Sequence, residues 1–149
     1  MYKMKYGVDI LDSEIMSRIE SNMRKLGHII INLGEKNAPI LGENLKIKVM
    51  MANQARIKLY LGVIYDNKMN HQVNVVTSFE KSGMLIVENF CNSLREQGFE
   101  DISIENNDKL YLIKNVNAPV LLMYINDDKV DDKKIIVDGI ISGLLSLSE

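Results

Sequence analysis

Apolar positions along this chain recur at two spacings, every second residue and every third or fourth, and the switches between them divide it into alternating strands and helices. Lys5 to Ile10 reads as a short strand. Asp12-Ser13 then caps a helix whose apolar positions Ile15, Ile19, Met23 and Leu26 end at Gly27. His28 to Leu33, rich in isoleucine and bounded by glycine on both sides, reads as a second, buried strand. After a loop with Pro39 and Gly42, the spacing of Leu45, Val49, Ala52 and Arg56 predicts a helix to about Ile57, and Leu59 to Tyr65 follows as a near-continuous apolar strand.

Val73 to Phe79 alternates as a strand does, and Met84, Val87, Cys91 and Leu94 line a third helix stopped by Gly98. A polar turn around Asn106-Asn107-Asp108 leads to Leu110–Ile113 and then to Val120–Ile125, the most hydrophobic strand. The last element is a helix from about Asp132 to Leu147, buried through Ile136, Ile140, Leu144 and Leu147. Strands alternating with helices of this length predict an α/β fold: a mostly parallel twisted sheet of about five or six strands with helices on both faces. Residues 1–149 read as a single domain, without repeats or a linker.

Composition narrows the function classes. The chain is 46% hydrophobic and 26% charged, which excludes disorder, and its net charge of −2 offers no general basic face for nucleic acid. The single Cys91 has no internal disulfide partner and sits in an apolar helical pattern without an obvious cationic neighbour, so it reads as a small core residue. The nine methionines read likewise as gap-filling core. Two histidines leave little room for chemistry that needs several imidazoles. No signal-peptide-like segment and no apolar run of membrane-spanning length is seen, so the expectation is a cytoplasmic protein, released if at all by lysis or a non-classical route.

The generic chemistries of α/β proteins find no footing. The first strand continues as Val8-Asp9-Ile10-Leu11-Asp12-Ser13 with no glycine-rich phosphate loop, and no Gly-x-Ser-x-Gly elbow occurs. Three stretches, in order, do resemble one family. Leu112-Ile113-Lys114-Asn115-Val116-Asn117-Ala118-Pro119-Val120-Leu121-Leu122 has a short turn ending in proline that leads into a late strand. Leu45-x-x-Lys48-x-x-x-Ala52-Asn53 precedes the apolar strand with Leu59-Tyr60-Leu61, and Val8-Asp9 on the first strand pairs with a C-terminal helix holding Val137-Asp138-Gly139-Ile140. Together these resemble the zinc-dependent N-acetylmuramoyl-L-alanine amidases of the type 3 fold, which cut peptidoglycan between the sugar and its stem peptide.

The resemblance implies one zinc held by a His after the first strand, a Glu near the start of the first helix and a His closing the third strand, with a Glu on the late strand handling the proton. Such ligands leave zinc an open position from which to polarise an amide and activate a water. Here the first His position carries Asp12, the second falls on Ile64 or Tyr65, and the proton-handling Glu falls on Tyr124. Glu14 alone stands for the carboxylate ligand. Isoleucine binds no metal, and a tyrosine that titrates near pH 10 is a poor general base at neutral pH. The resemblance therefore implies an amidase scaffold whose zinc and activity are lost, with no cofactor expected.

Several residues carry a functional and a plain reading side by side. Asp12, Glu14, Asp66 and His71 could form a rebuilt metal site; the plain readings are an N-cap for Asp12, a helix-dipole carboxylate for Glu14 and a solvated loop for His71. Tyr65 and Tyr124, ending neighbouring strands with Asp66, Asn67 and Asn126 beside them, could line a groove for a glycan or peptide, or fill a vacated metal cavity. The acidic run from Asn126 to Lys134 lacks the glycine and closing glutamate of a calcium loop and reads as a solvated turn. The leading expectation is a catalytically degenerate amidase-type domain that binds a partner protein or a peptidoglycan fragment, with no nucleic acid, no membrane and a homo-oligomer open. The alternatives are an active hydrolase with a rebuilt metal site and an unrelated α/β interaction module.

Overall fold

A computed structural model of the chain describes residues 4–34 and 41–147. Its sheet has six strands: β1 Lys5–Ile10, β2 Ile29–Asn32, β3 Leu59–Tyr65, β4 Val73–Thr77, β5 Ile102–Asn106 and β6 Val120–Ile125. The spatial order is β2-β1-β3-β6-β4-β5. The first four run parallel, β4 is antiparallel to β6, and β5 is parallel to β4. The α/β expectation of a mostly parallel sheet therefore holds.

Helices cover both faces, as burial of parallel strands requires. On one face, α1 Ser13–Lys25, α4 Met84–Glu96 and α6 Lys133–Ser146 pack on Tyr6, Val8, Leu61, Val75, Met123 and their neighbours to form the larger core. On the other, α2 Leu41–Ala55 and the short α5 Tyr111–Asn115 cover a smaller core around Leu33, Tyr60, Val76, Val120 and Leu122. A one-turn helix, α3 Phe79–Ser82, links β4 to α4. Period-two alternation therefore sends Tyr60, Gly62 and Ile64 of β3 to the face with α2, and Leu59, Leu61 and Val63 to the face with α1 and α6.

Most boundaries follow the local signals. Asp12 caps α1 by accepting from the Glu14 and Ile15 amides, and Asp132 caps α6 through the Lys134 amide. Four expectations need correction. The isoleucine strand β2 lies at the sheet edge, so its isoleucines are only half-buried. Leu110–Ile113 is taken into α5, because Leu110 and Ile113 turn the same way at a spacing of three, and Ile113 is buried. The strand β5 was not anticipated: it is an edge strand with two half-buried isoleucines and ends on Asn106, which signals a turn.

The fourth correction concerns helix ends and methionines. Strand β4 stops at Thr77, and Phe79 opens α3 behind a Ser78 cap. Helix α2 begins at Leu41 and so includes Gly42, while Pro39 lies outside the described residues; it ends at Ala55, where Arg56 takes φ 55°. Met16, Met23 and Met123 are core, but Met50 and Met84 are exposed.

Candidate functional site

Three parallel strands, β1, β3 and β6, end side by side, and the sheet edge they share is where open α/β sheets hold ligands. On the face of α2 and α5, the residues nearest this edge are Asp9, Gly62, Ile64, Leu122 and Tyr124, with Ile64 and Tyr124 directly opposite one another in the ladder. Asp9 is a carboxylate in an apolar strand, and it is fully engaged. Lys48 of α2 reaches both of its oxygens, at 3.0 and 3.1 Å, and the Tyr60 hydroxyl donates to Oδ2 at 2.7 Å. Burial, reinforced by the adjacent Asp9 charge, pushes the Tyr60 hydroxyl far above the ordinary tyrosine range, so it stays a donor.

Beside this cluster opens a cavity of about 550 Å³. Its wall is mostly apolar, including Leu45, Ile64, Leu112, Leu122, Tyr111 and Tyr124. Gly62 helps shape it: a Cβ there would stand 2.8 Å from Cδ2 of Leu122, which lines the cavity, so any side chain would force Leu122 to shift. Burial raises the Tyr124 hydroxyl, with Glu105 and Asp66 adding to the effect, so Tyr124 is no base at neutral pH.

The second polar cluster lies at the start of α1. Besides capping the helix, Asp12 accepts from the Tyr65 hydroxyl at 3.1 Å and meets the Lys133 ammonium, also at 3.1 Å. Lys133 reaches Glu14 as well, at 3.8 Å, and Glu14 pairs with Arg18 at 3.6 Å. Partial burial pushes the Asp12 carboxyl up, but the hydrogen bonds from Ile15, Lys133 and Tyr65 outweigh it and hold the group below its ordinary value. Burial and the Asp12 charge push the Tyr65 hydroxyl up to about 12.

The remaining candidates go elsewhere. His71 Nδ1 lies 2.7 Å from Asp101 Oδ1, toward the β5 side of the sheet. Asp66 accepts from the Lys68 amide, a loop-closing bond. Asn126 is buried; its Nδ2 donates to the Met69 carbonyl and its Oδ1 accepts from the Asp128 amide, which ties two loops together. Tyr65 and Tyr124 both line the cavity, whereas Asp66, Asn67 and Asn126 are not among its lining residues. Asp12, Glu14, Asp66 and His71 do not converge: among the described residues no group of three or more His, Cys, Asp or Glu could hold a metal ion. The described residues therefore do not fit the zinc that the resemblance implies.

Sequence reasoning missed the pairing of Asp9 with Lys48 and Tyr60, and it left Lys133 in a solvated turn. The signal was there for the first: a lone acid in an apolar strand and a lone base on the buried side of a helix each need a partner. Cys91 does have a cationic neighbour, Arg95, but burial prevails and pushes its thiol up to about 11.

No protein-family model matches this sequence, and no curated protein matches it. Solved structures do. The catalytic domain of the CD27L endolysin targeting Clostridia difficile superposes with a TM-score of 0.73 at 15% identity, covering 97% of each chain. The N-acetylmuramyl-L-alanine amidase Ami1 of Mycobacterium abscessus gives 0.74 at 9% identity over 100% of both chains. This chain has the amidase fold. The catalytic domain of CwlV, an N-acetylmuramoyl-L-alanine amidase from Bacillus (Paenibacillus) polymyxa var. colistinus, adds a TM-score of 0.73 at 13% identity, over 97% of this chain and 98% of that one. At such identities the amidase likeness is one of architecture, and the chemistry has to be argued from the site. No helix among the described residues is long and apolar enough to cross a membrane.

Proposed function

We propose that this chain is a peptidoglycan-amidase scaffold that no longer cuts and serves as a binding or assembly module for a partner protein or a peptidoglycan fragment. The observation that carries the reading is Lys133. Its ammonium stands 3.1 Å from Asp12 and 3.8 Å from Glu14, the two positions that the resemblance assigns to zinc ligands. A monovalent cation tethered to the chain thus neutralises the carboxylates that would otherwise attract a metal, and it offers no open coordination position for polarising an amide. At the remaining chemical positions, Ile64 carries no ligand atom, the alternative Tyr65 keeps its proton and donates it to Asp12, and Tyr124 holds its proton tightly.

A hydrolase rebuilt from Asp12, Glu14, Asp66 and His71 is not favoured, because His71 is engaged with Asp101 and the four do not meet. The test is metal analysis of purified protein together with incubation on muropeptides. The reading expects substoichiometric zinc and intact amide bonds; stoichiometric zinc accompanied by release of the stem peptide would sink it.

A further inference from the structure

We propose that the cavity between β3, β6, α2 and α5 is a binding site for a small, uncharged aromatic molecule. The inference goes beyond the proposed function in naming a different ligand, and it rests only on that reading's claim that the site does not cut. Three observations point to the chemistry. First, the volume of about 550 Å³ lies within the range of small-molecule sites, and the wall is apolar apart from a few polar groups.

Second, those polar groups carry no spare charge. Asp9 and Asp12 both line the cavity, yet each already holds a lysine, Lys48 at 3.0 Å and Lys133 at 3.1 Å, and each accepts a tyrosine hydroxyl as well. A charged ligand entering here would lose water and find no unpaired counter-ion, so burial costs it affinity. Third, four of the chain's six tyrosines gather at this end: Tyr65, Tyr111 and Tyr124 line the cavity, and Tyr60 lies behind Gly62. Tyrosine rings offer flat apolar faces against which a planar guest stacks at little entropic cost.

The probes are indole, its cationic analogue tryptamine and its anionic analogue indole-3-acetate, titrated at neutral pH into isotopically labelled protein and followed by amide shifts. Indole is expected to move the resonances of Gly62, Ile64, Leu112 and Tyr124 and to bind at least ~10-fold tighter than either charged analogue, given the cost of burying an unpaired charge. Lys133 is half-exposed, so Lys133→Met should fold normally while leaving Asp12 without its ammonium. In that variant tryptamine is expected to gain roughly threefold, a gain in keeping with a partly exposed ion pair, while indole is unaffected. Gly62→Leu, which fills the space, is expected to abolish indole binding.

Indole that moves none of these resonances, or that binds no better than its charged analogues, overturns the inference. A muropeptide that moves them while indole does not also overturns it, and leaves the proposed binding role standing. Zinc-dependent cleavage of the muropeptide overturns that role instead.

Discussion

Asp12 shows how one side chain serves several masters. Its carboxylate caps α1, receives the Tyr65 hydroxyl and holds Lys133. Asp12→Ala removes all three interactions and is expected to cost about 1–2 kcal/mol, whereas Asp12→Asn keeps a capping oxygen and should cost roughly half as much; urea denaturation separates them. The carboxyl titrates below its ordinary 3.8 in the folded chain, so its contribution is complete above the unfolded value and disappears as pH falls through the folded one. Asp12→Asn should therefore flatten the stability profile below about pH 4 and leave its neutral limb parallel to the wild type. The N-cap was legible, because Asp-Ser before an amphipathic run has a local cause. The ion pair with Lys133 was not, since 121 residues separate the partners and the packing of α1 against α6 brings them together.

Asp9 is the deeper case. Both it and Lys48 have side chains nearly removed from water, 13% and 10% exposed. Lys48→Met strands a carboxylate in that setting and is expected to lose about 3–5 kcal/mol, while the double variant Asp9→Asn with Lys48→Met should recover at least roughly half of the loss. A thermal denaturation series on the wild type and these two variants checks this; equal losses in the single and double variants would refute the coupling.

Among the helices, α4 and α6 pack most closely. A Cβ on Gly143 would meet the Phe90 ring at 2.5 Å, and one on Gly139 would meet Phe99 at 2.7 Å. Gly143→Ala gains about 1 kcal/mol of helix propensity but forces that ring to move, so a net loss of at least ~1 kcal/mol is expected from chemical denaturation. The nearby Gly98, at φ 110°, ends α4 and turns the chain toward β5. Helix periodicity and its stop signals were readable because each depends on neighbours in sequence. The strand β5 and helix α5 were not, because their status depends on position: β5 pairs along one side only, and α5 exists to cover Val120 and Leu122 of β6.

For the whole molecule, the alternation of strands and helices conveyed the layered α/β architecture, and the ordered motifs conveyed the amidase resemblance. What they could not convey was the reversed direction of β4 and β5, which short polar connections permit equally well, nor the cavity, which is assembled from β1, β3, β6, α2 and α5. If no metal is bound, chelation should leave the melting temperature unchanged, and added zinc should not raise it, since only a ligand that prefers the folded state shifts the transition. A differential scanning experiment with and without EDTA decides this, and a chelator-sensitive transition would contradict the proposed role.

Lys133 has a consequence for where such a protein can work. The positive charge between Asp12 and Glu14 is carried by the chain itself, so its local concentration is set by tethering and owes nothing to supply. On the proposed reading, scarcity, competition from better-matched ions and the order in which a cell loads its metalloproteins cease to matter at this position. The charge is inherited with the gene.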